Sequence, residues 1–102
     1  MYYTYMLRCS DNSIYTGMTH NLEKRIEEHI SKDKKGAKYT KSHEVIKLEI
    51  AWKSKDKSLA CKLEYQIKNL TKKQKEKLIK EKKLITYFKG KIDCRRYRVC
   101  VL

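Results

Sequence analysis

The chain opens with two short runs of residues that favour β-strands. Residues 2–9 (YYTYMLRC) and 14–18 (IYTGM) are rich in aromatic and β-branched side chains, and the polar stretch 10–13 (SDNS) between them is typical of a turn. The two runs therefore predict an antiparallel β-hairpin. Gly17, near the end of the second run, indicates a bulge, a tight exit or a close approach of another group to the backbone.

Apolar residues recur at helical spacing after the hairpin. Asn21 is a suitable N-cap, and the positions that follow it predict a first helix to about residue 32, with an apolar stripe formed by Leu22, Ile26 and Ile30. The next stretch, 33–42, is basic and contains a glycine, so it is predicted to be a loop. Residues 44–52 (EVIKLEIAW) partly alternate and predict a third strand.

Two more helices are predicted in the second half of the chain. Ser58 is a candidate cap for the second helix, whose apolar stripe is formed by Leu59, Leu63, Ile67 and Leu70. Thr71 and Gln74 match a capping box, which predicts a third helix to about Lys82. The predicted fold is α+β, a three-stranded antiparallel sheet flanked by three helices in the order β-β-α-β-α-α, followed by a C-terminal tail.

The net charge of the chain indicates which kinds of molecule it could bind. Its 102 residues include 26 Lys and Arg against 12 Asp and Glu, a formal net charge of +14. Such an imbalance favours a polyanionic partner, nucleic acid or a membrane surface, over a solvated basic face with no partner. No apolar run approaches the ~20 residues of a membrane span, and the first ten residues lack the features of a signal peptide. We therefore expect no membrane association and a cytoplasmic location.

Most of the positive charge lies in two places. The predicted loop contributes Lys35, Lys38 and Lys41, and the third helix contributes Lys72, Lys73 and Lys75. Lysine is a point charge that suits phosphate contacts better than the reading of bases. These six residues are the candidate nucleic-acid contacts, and they predict binding with little sequence specificity.

A few residues at the edge of the predicted core have side chains that could take part in catalysis. Tyr5 and Tyr15 lie on the two arms of the hairpin, and Arg25 and His29 border the apolar stripe of the first helix only 40° apart. Glu64 borders the stripe of the second helix, where it could bind a hard cation or simply pair with a lysine four residues on. Each tyrosine could equally be a strand aromatic, the histidine a packed side chain, and the arginine a snorkelling one.

In order and spacing, these residues resemble the GIY-YIG nuclease superfamily, in particular its small stand-alone bacterial members. The two signature tripeptides appear as YTY at 3–5 and YTG at 15–17, so the first retains only its tyrosine and Thr16 replaces an isoleucine. The resemblance covers roughly residues 2–83 and includes the segments GAKYT, SLACKLE and LTKKQK. It implies a nuclease domain over 1–83, with 84–102 as an extension packed on or extending the same domain.

The resemblance also implies roles for the candidate residues. Tyr15 looks like the general base that takes a proton from the attacking water, and Tyr5 looks like its partner. Arg25 would neutralise the scissile phosphate, and His29 would assist proton transfer or bind phosphate. Glu64 would be the single protein ligand of one Mg²⁺ or Mn²⁺, an arrangement that suits a cation that keeps most of its waters.

The leading hypothesis is a metal-dependent DNA endonuclease of low sequence specificity that is selective for DNA structure, with a role in DNA repair, recombination or processing. Two alternatives stay open: a non-catalytic nucleic-acid-binding module on the same fold, and a basic protein associated with RNA or the ribosome. The substrate could be branched or duplex DNA, or RNA. A protein partner needed for activity, and the oligomeric state, are left open by the sequence.

Overall fold

The structure, a computed structural model, describes residues 1–31 and 44–100. Within these ranges the strands form one antiparallel sheet in the spatial order β2-β1-β3-β4. The strands are β1 (Tyr2–Cys9), β2 (Ile14–Thr19), β3 (Val45–Ser54) and β4 (Arg98–Cys100). The predicted hairpin is confirmed, and its turn places Asn12 at φ 70°, a left-handed conformation that asparagine tolerates better than most residues.

The sheet has one strand more than the three predicted. β4 is only three residues long and pairs with the second half of β3, where Arg98 lies opposite Lys53 and Cys100 lies opposite Ala51. So short a segment has no periodicity of its own. Its strand conformation depends on pairing with the neighbouring edge of β3, so it could not be predicted from the local sequence.

Three long helices flank the sheet in the described part of the chain. They are α1 (Leu22–Ser31), α2 (Lys57–Lys68) and α3 (Lys72–Glu81). A single turn, α4 (Ile85–Phe88), and a 3₁₀ turn at Cys94–Arg96 follow. Thr71 and Gln74 form the predicted capping box of α3, with hydrogen bonds of 2.9 and 3.2 Å.

The predicted cap of the second helix is wrong by two residues. The N-cap of α2 is Asp56, whose carboxylate accepts a hydrogen bond of 2.9 Å from the backbone N–H of Leu59. Asp and Ser are comparable N-caps, so propensity alone does not separate Asp56 from Ser58. The extended backbone of Asp56, set by the end of β3, places the helix start there.

The two faces of the sheet carry different cores. On one face Met6, Trp52 and Leu63 belong to a large apolar cluster with α2, α3 and the C-terminal segment. That segment contributes Leu84, Phe88 and Tyr97, all buried in this cluster. On the other face a smaller cluster lies under α1, and it contains the buried Tyr5 and Leu7 with the partly buried Tyr15 beside them.

The strand alternation decides which side chains reach which face. Successive residues of a strand point to opposite sides, so Thr4 and Met6 face α2 while Tyr5 and Leu7 face α1. The hydroxyl of Thr4 donates a 3.0 Å hydrogen bond to the carbonyl oxygen of Ala60 and joins α2 to β1. None of the helices in the described ranges is long and apolar enough to cross a membrane.

Candidate active site

Tyr5 lies at the centre of the candidate site, and only a glycine fits opposite it. Tyr5 is 1% exposed and is paired across the hairpin with Gly17. A Cβ atom at Gly17 would lie 2.5 Å from the Tyr5 hydroxyl oxygen and 3.1 Å from the Tyr15 ring. Gly17 therefore marks the close approach that the sequence indicated as one of three possibilities.

His29 contacts Tyr5 directly from α1. Its Nε2 lies 3.1 Å from the Tyr5 hydroxyl oxygen, and the imidazole is fully buried. Burial lowers the pKa of His29 to about 4, and the positive charge of Arg25 acts in the same direction. The imidazole is therefore neutral near pH 7, and a neutral ring nitrogen can accept a hydrogen bond from the Tyr5 hydroxyl.

Tyr15 completes a group of three rings and is the most accessible of them. Its ring centroid lies 5.3 Å from that of His29 and 6.3 Å from that of Tyr5. Tyr15 is partly exposed, whereas Tyr5 and His29 are buried. Of the two tyrosines, it is thus Tyr15 that a substrate or water molecule can approach.

Arg25 lies one helical turn before His29 and links the rings to the surface. Burial of the guanidinium opposes its charge, but the interactions with Tyr5 and Glu28 together outweigh burial and raise the pKa of Arg25. Its Nη1 is also 3.4 Å from the Glu28 carboxylate, and 27% of the Arg25 side chain remains exposed. A permanent positive charge is therefore held between the buried hydroxyl and solvent.

Glu64 comes from α2, which packs against β1 and β2. Burial raises the pKa of Tyr5 to about 12, and the negative charge of Glu64 contributes to this rise, so the carboxylate is within electrostatic range of the ring group. The Glu64 side chain is 24% exposed and lies 3.4 Å from the ammonium group of Lys68. The i+4 pair with Lys68 is therefore formed, while the Glu64 charge also acts on Tyr5.

Comparison with known proteins shows the family of this chain. The GIY-YIG catalytic domain matches residues 1–78. The chain belongs to the GIY-YIG family. Its GIY-YIG domain is 55% identical over 78 residues to the UPF0213 protein FN1575 of Fusobacterium nucleatum, covering 76% of each chain. The UPF0213 protein YhbQ of Salmonella typhimurium is 41% identical over 81 residues, or 79% of each chain.

A solved relative has the same family name. The solution NMR structure of the UPF0213 protein BH0048 from Bacillus halodurans is 37% identical in sequence, covering 80% of this chain and 86% of that one, with a TM-score of 0.48. The family assignment confirms the resemblance drawn from the sequence. The GIY-YIG family is a nuclease family, which implies a nucleic-acid substrate in general. The names of these relatives state no specific function.

The altered middle residues of the two tripeptides behave differently in this GIY-YIG domain. Thr4 and Thr16 are both buried on the α2 side of the hairpin. Thr4 bonds to the Ala60 carbonyl, as described above, whereas no partner for the hydroxyl of Thr16 is found among residues 1–31 and 44–100. Both threonines keep the strand conformation, as expected for β-branched residues.

The candidate lysines of α3 differ in their surroundings. Lys73 is exposed, Lys72 lies 2.8 Å from the Glu76 carboxylate, and Lys75 is half-buried. Burial and the charge of Lys68 lower the pKa of Lys75. Three further predicted contacts lie outside the described residues, namely Lys35, Lys38 and Lys41.

An ion-pair network that the sequence did not predict fixes α3 to the sheet. Arg8 of β1 donates to Glu49 of β3 at 2.8 Å and to Glu76 of α3 at 2.6 Å. The hydrogen bond from Arg8 lowers the pKa of Glu76 to about 2, with help from Lys72. Arg8 and Glu76 are 68 residues apart, so no local pattern could have paired them.

Proposed function

We propose that the protein is a metal-dependent DNA endonuclease that hydrolyses phosphodiester bonds with low sequence specificity. The observation that supports this proposal is the convergence of two tyrosines, an arginine, a histidine and a glutamate from four different elements. A family match could persist in a domain that has lost its chemistry. Here the chain retains Tyr5, Tyr15, Arg25, His29 and Glu64. The rings of Tyr5, Tyr15 and His29 lie together, and the charges of Arg25 and Glu64 both act on Tyr5.

Tyr15 is the proposed general base. A phenol is a weak base at its ordinary pKa of ~10, and cations near it are what make it effective. Tyr15 is the accessible ring of the group, and the charge of Arg25 is held nearby by the shared contact with Tyr5. Its proposed role is to accept the proton of the water that attacks the phosphorus atom.

Tyr5 and His29 are proposed to act as positioning residues rather than as bases. A buried phenol with a pKa of about 12 keeps its proton at neutral pH. The neutral imidazole of His29 holds that hydroxyl from one side and contacts the Tyr15 ring from the other. Because His29 is fully buried, we infer that it acts on the reaction through the tyrosines and does not bind phosphate directly.

Arg25 is proposed to bind the scissile phosphate. A phosphodiester is already anionic, and negative charge builds further on its oxygens as water attacks. The guanidinium is permanently charged and partly exposed, and it offers several N–H donors in a planar fork. Its charge lies beside the Tyr5 hydroxyl, at the proposed reaction centre.

Glu64 is the residue that would hold the metal ion. The described residues contain no group of three or more His, Cys, Asp or Glu side chains that could enclose a cation. One carboxylate, together with water and substrate oxygens, nevertheless fits Mg²⁺ or Mn²⁺, which retain several waters. A divalent cation bound there would supply positive charge at the developing pentacoordinate phosphate.

The substrate proposal is based on the distribution of charge. The exposed lysines of α3 provide contacts to phosphates and nothing typical of base recognition. We therefore propose that backbone and DNA shape, rather than sequence, decide what is cut. Roles in repair, recombination or processing of branched DNA fit this kind of recognition.

The decisive experiment compares Tyr15→Phe with wild type on nicked, branched and linear DNA in Mg²⁺ and Mn²⁺. Loss of the hydroxyl should lower the cleavage rate by ~10²–10⁴, as is typical for removal of a general base, with little change in DNA affinity or melting temperature. Tyr65→Phe is the matched control, because Tyr65 is 65% exposed on α2 and should cleave at the wild-type rate. A Tyr15→Phe protein that cleaves normally would show that Tyr15 is not the base, and an inactive wild type would favour the non-catalytic binding module.

A further inference from the structure

A groove of about 440 Å³ opens beside the proposed active site. It runs between the start of α1 and the start of α2, and the side chains that matter here are Tyr2, His20, Lys24, Arg25, Glu28 and Lys57. Its volume lies within the ~300–1,000 Å³ of ordinary small-molecule sites. These residues could not be grouped from the sequence, because they come from three separate stretches of the chain.

The groove is positively charged. Lys24 and Lys57 are both exposed, and they enter it from α1 and α2 respectively. The acidic residue of the lining, Glu28, is already paired with Arg25 at 3.4 Å, so the charge of the two lysines is not neutralised within the groove. The first turns of both helices border the groove as well, and helix N-termini favour anions.

An aromatic pair forms another part of the groove. The rings of Tyr2 and His20 have centroids 6.2 Å apart, with an interplanar angle of 58°. Tyr2 is half-buried at the start of β1, whereas His20 is exposed just before α1. Aromatic surfaces next to lysines are the combination that binds the bases and phosphates of a nucleic-acid strand.

Arg25 joins the groove to the catalytic group. It lines the groove, and its charge also acts on Tyr5 at the proposed reaction centre. A DNA strand whose scissile phosphate is bound at Arg25 would therefore continue into the groove on one side. This step depends on the proposed function, since that function places the scissile phosphate at Arg25.

We propose that the groove is a nucleotide subsite for the strand next to the cleaved bond. Lys24 and Lys57 bind one backbone phosphate there, and the Tyr2–His20 pair packs against the sugar and base of the same nucleotide. The subsite fixes the strand relative to Tyr15, so it contributes to positioning without contact to the reacting atoms. Its ligand is a deoxynucleotide within a DNA strand, read by its phosphate and its ring faces rather than by its base edges.

The test is a titration of the full ¹⁵N-labelled chain with tetrathymidylate in EDTA, followed by amide chemical shifts. The largest changes are expected at His20, Lys24 and Lys57. The double variant Lys24→Gln/Lys57→Gln should bind about tenfold more weakly, because it removes both phosphate contacts. The control Lys89→Gln/Lys91→Gln removes the same charge from exposed positions outside the groove and should bind like wild type.

Two further arms separate a nucleotide site from a simple anion site. Inorganic phosphate should shift the amides near Lys24 and Lys57 but leave those of Tyr2 and His20 unchanged. His20→Ala removes an exposed ring without touching the core and should weaken tetrathymidylate binding while leaving phosphate binding unaltered. Equal shifts at Tyr2 and His20 with phosphate alone would overturn the nucleotide assignment.

Cleavage measured on the same proteins keeps the two proposals apart. A wild type that cleaves DNA, but whose groove amides do not respond to tetrathymidylate, overturns the subsite and leaves the endonuclease proposal intact. A wild type that shows the groove shifts but cleaves no DNA overturns the endonuclease proposal instead. If both hold, Lys24→Gln/Lys57→Gln should raise KM with kcat within about twofold of wild type, because binding is reduced before the chemical step.

Discussion

The two faces of the hairpin show how one strand can serve stability and chemistry at once. Toward α2 and α3, β1 presents Thr4 and Met6 to a large apolar core closed by the C-terminal segment. Toward α1 it presents Tyr5, whose hydroxyl bonds to His29 within a group of polar rings. Because alternate residues point to opposite faces, a change at one position of β1 can affect folding or catalysis without affecting both.

The α1 face also buries polar side chains, which costs free energy of folding. His29 is buried with a pKa of about 4, and Tyr5 is buried with a pKa of about 12. Polar groups that are withdrawn from water in this way cluster at functional sites. The opposite face has a different polar feature, the ion pairs of Arg8, which are partly exposed and join α3 to the sheet.

The largest effect is expected at Glu64. It lies on α2, the helix of the apolar face, and is the proposed metal ligand, so Glu64→Gln should lower metal-dependent cleavage by more than ~10²-fold. DNA affinity, measured by fluorescence anisotropy in EDTA, should stay close to wild type because lysines bind the DNA. Glu81→Gln, an exposed change on α3, is the control. Undiminished cleavage by Glu64→Gln would remove this residue from the metal site.

The next experiment compares one side chain from each face. Leu78→Ala empties a buried position of the large core and should lower the free energy of unfolding by about 2–5 kcal/mol. Tyr5→Phe removes the hydroxyl and leaves its buried His29 partner without that contact, so it should cost about 1–3 kcal/mol but lower the cleavage rate by about 10²-fold. Urea unfolding and cleavage at a temperature where both variants are folded provide the two measurements. If Leu78→Ala were the less active of the two, the division between the faces would not hold.

The pH dependence of stability should report on the α1 face. The pKa of His29 falls from 6.5 to about 4 on folding, so the unfolded chain takes up this proton first. Stability should therefore decrease as the pH falls from about 6.5 toward 4. Glu76, whose pKa is lowered from 4.5 to about 2, contributes stability that is lost as the pH falls from about 4.5 toward 2, so its effect lies mostly below that window. Urea titrations at pH 7, 5.5 and 4.5 should show a smaller decrease for His29→Gln than for wild type; equal decreases would assign the effect elsewhere.

The smallest effect is expected on the outer surface of α3. Lys73→Gln should reduce the slope of log Kd against log salt by roughly 0.7–0.9, the value for one lost phosphate contact. Lys72→Gln should change it less, because Lys72 is already paired with Glu76. Anisotropy titrations over a range of salt concentrations measure both slopes, with Lys89→Gln as the control. An unchanged slope for Lys73→Gln would mean that α3 does not contact the DNA backbone.

Much of the local structure was predictable because its causes are local. The hairpin follows from two β-favouring runs around a polar turn, and the capping box of α3 follows from Thr71 and Gln74 three residues apart. The identity of the candidate site residues could also be predicted, because the ordered tyrosines, Arg25, His29 and Glu64 resemble a family motif. The family itself is confirmed by the match over residues 1–78, while the roles of these residues stay predictions.

Contacts between residues far apart in the chain could not be predicted from the sequence. β4 becomes a strand only beside β3, and Arg8 meets Glu76 only after α3 packs on the sheet. The different roles proposed for Tyr5 and Tyr15 also depend on their burial. The sequence pattern does not predict which of the two is buried, since both lie on the hairpin. Tertiary packing buries Tyr5, whose hydroxyl contacts the buried His29, and leaves Tyr15 partly exposed.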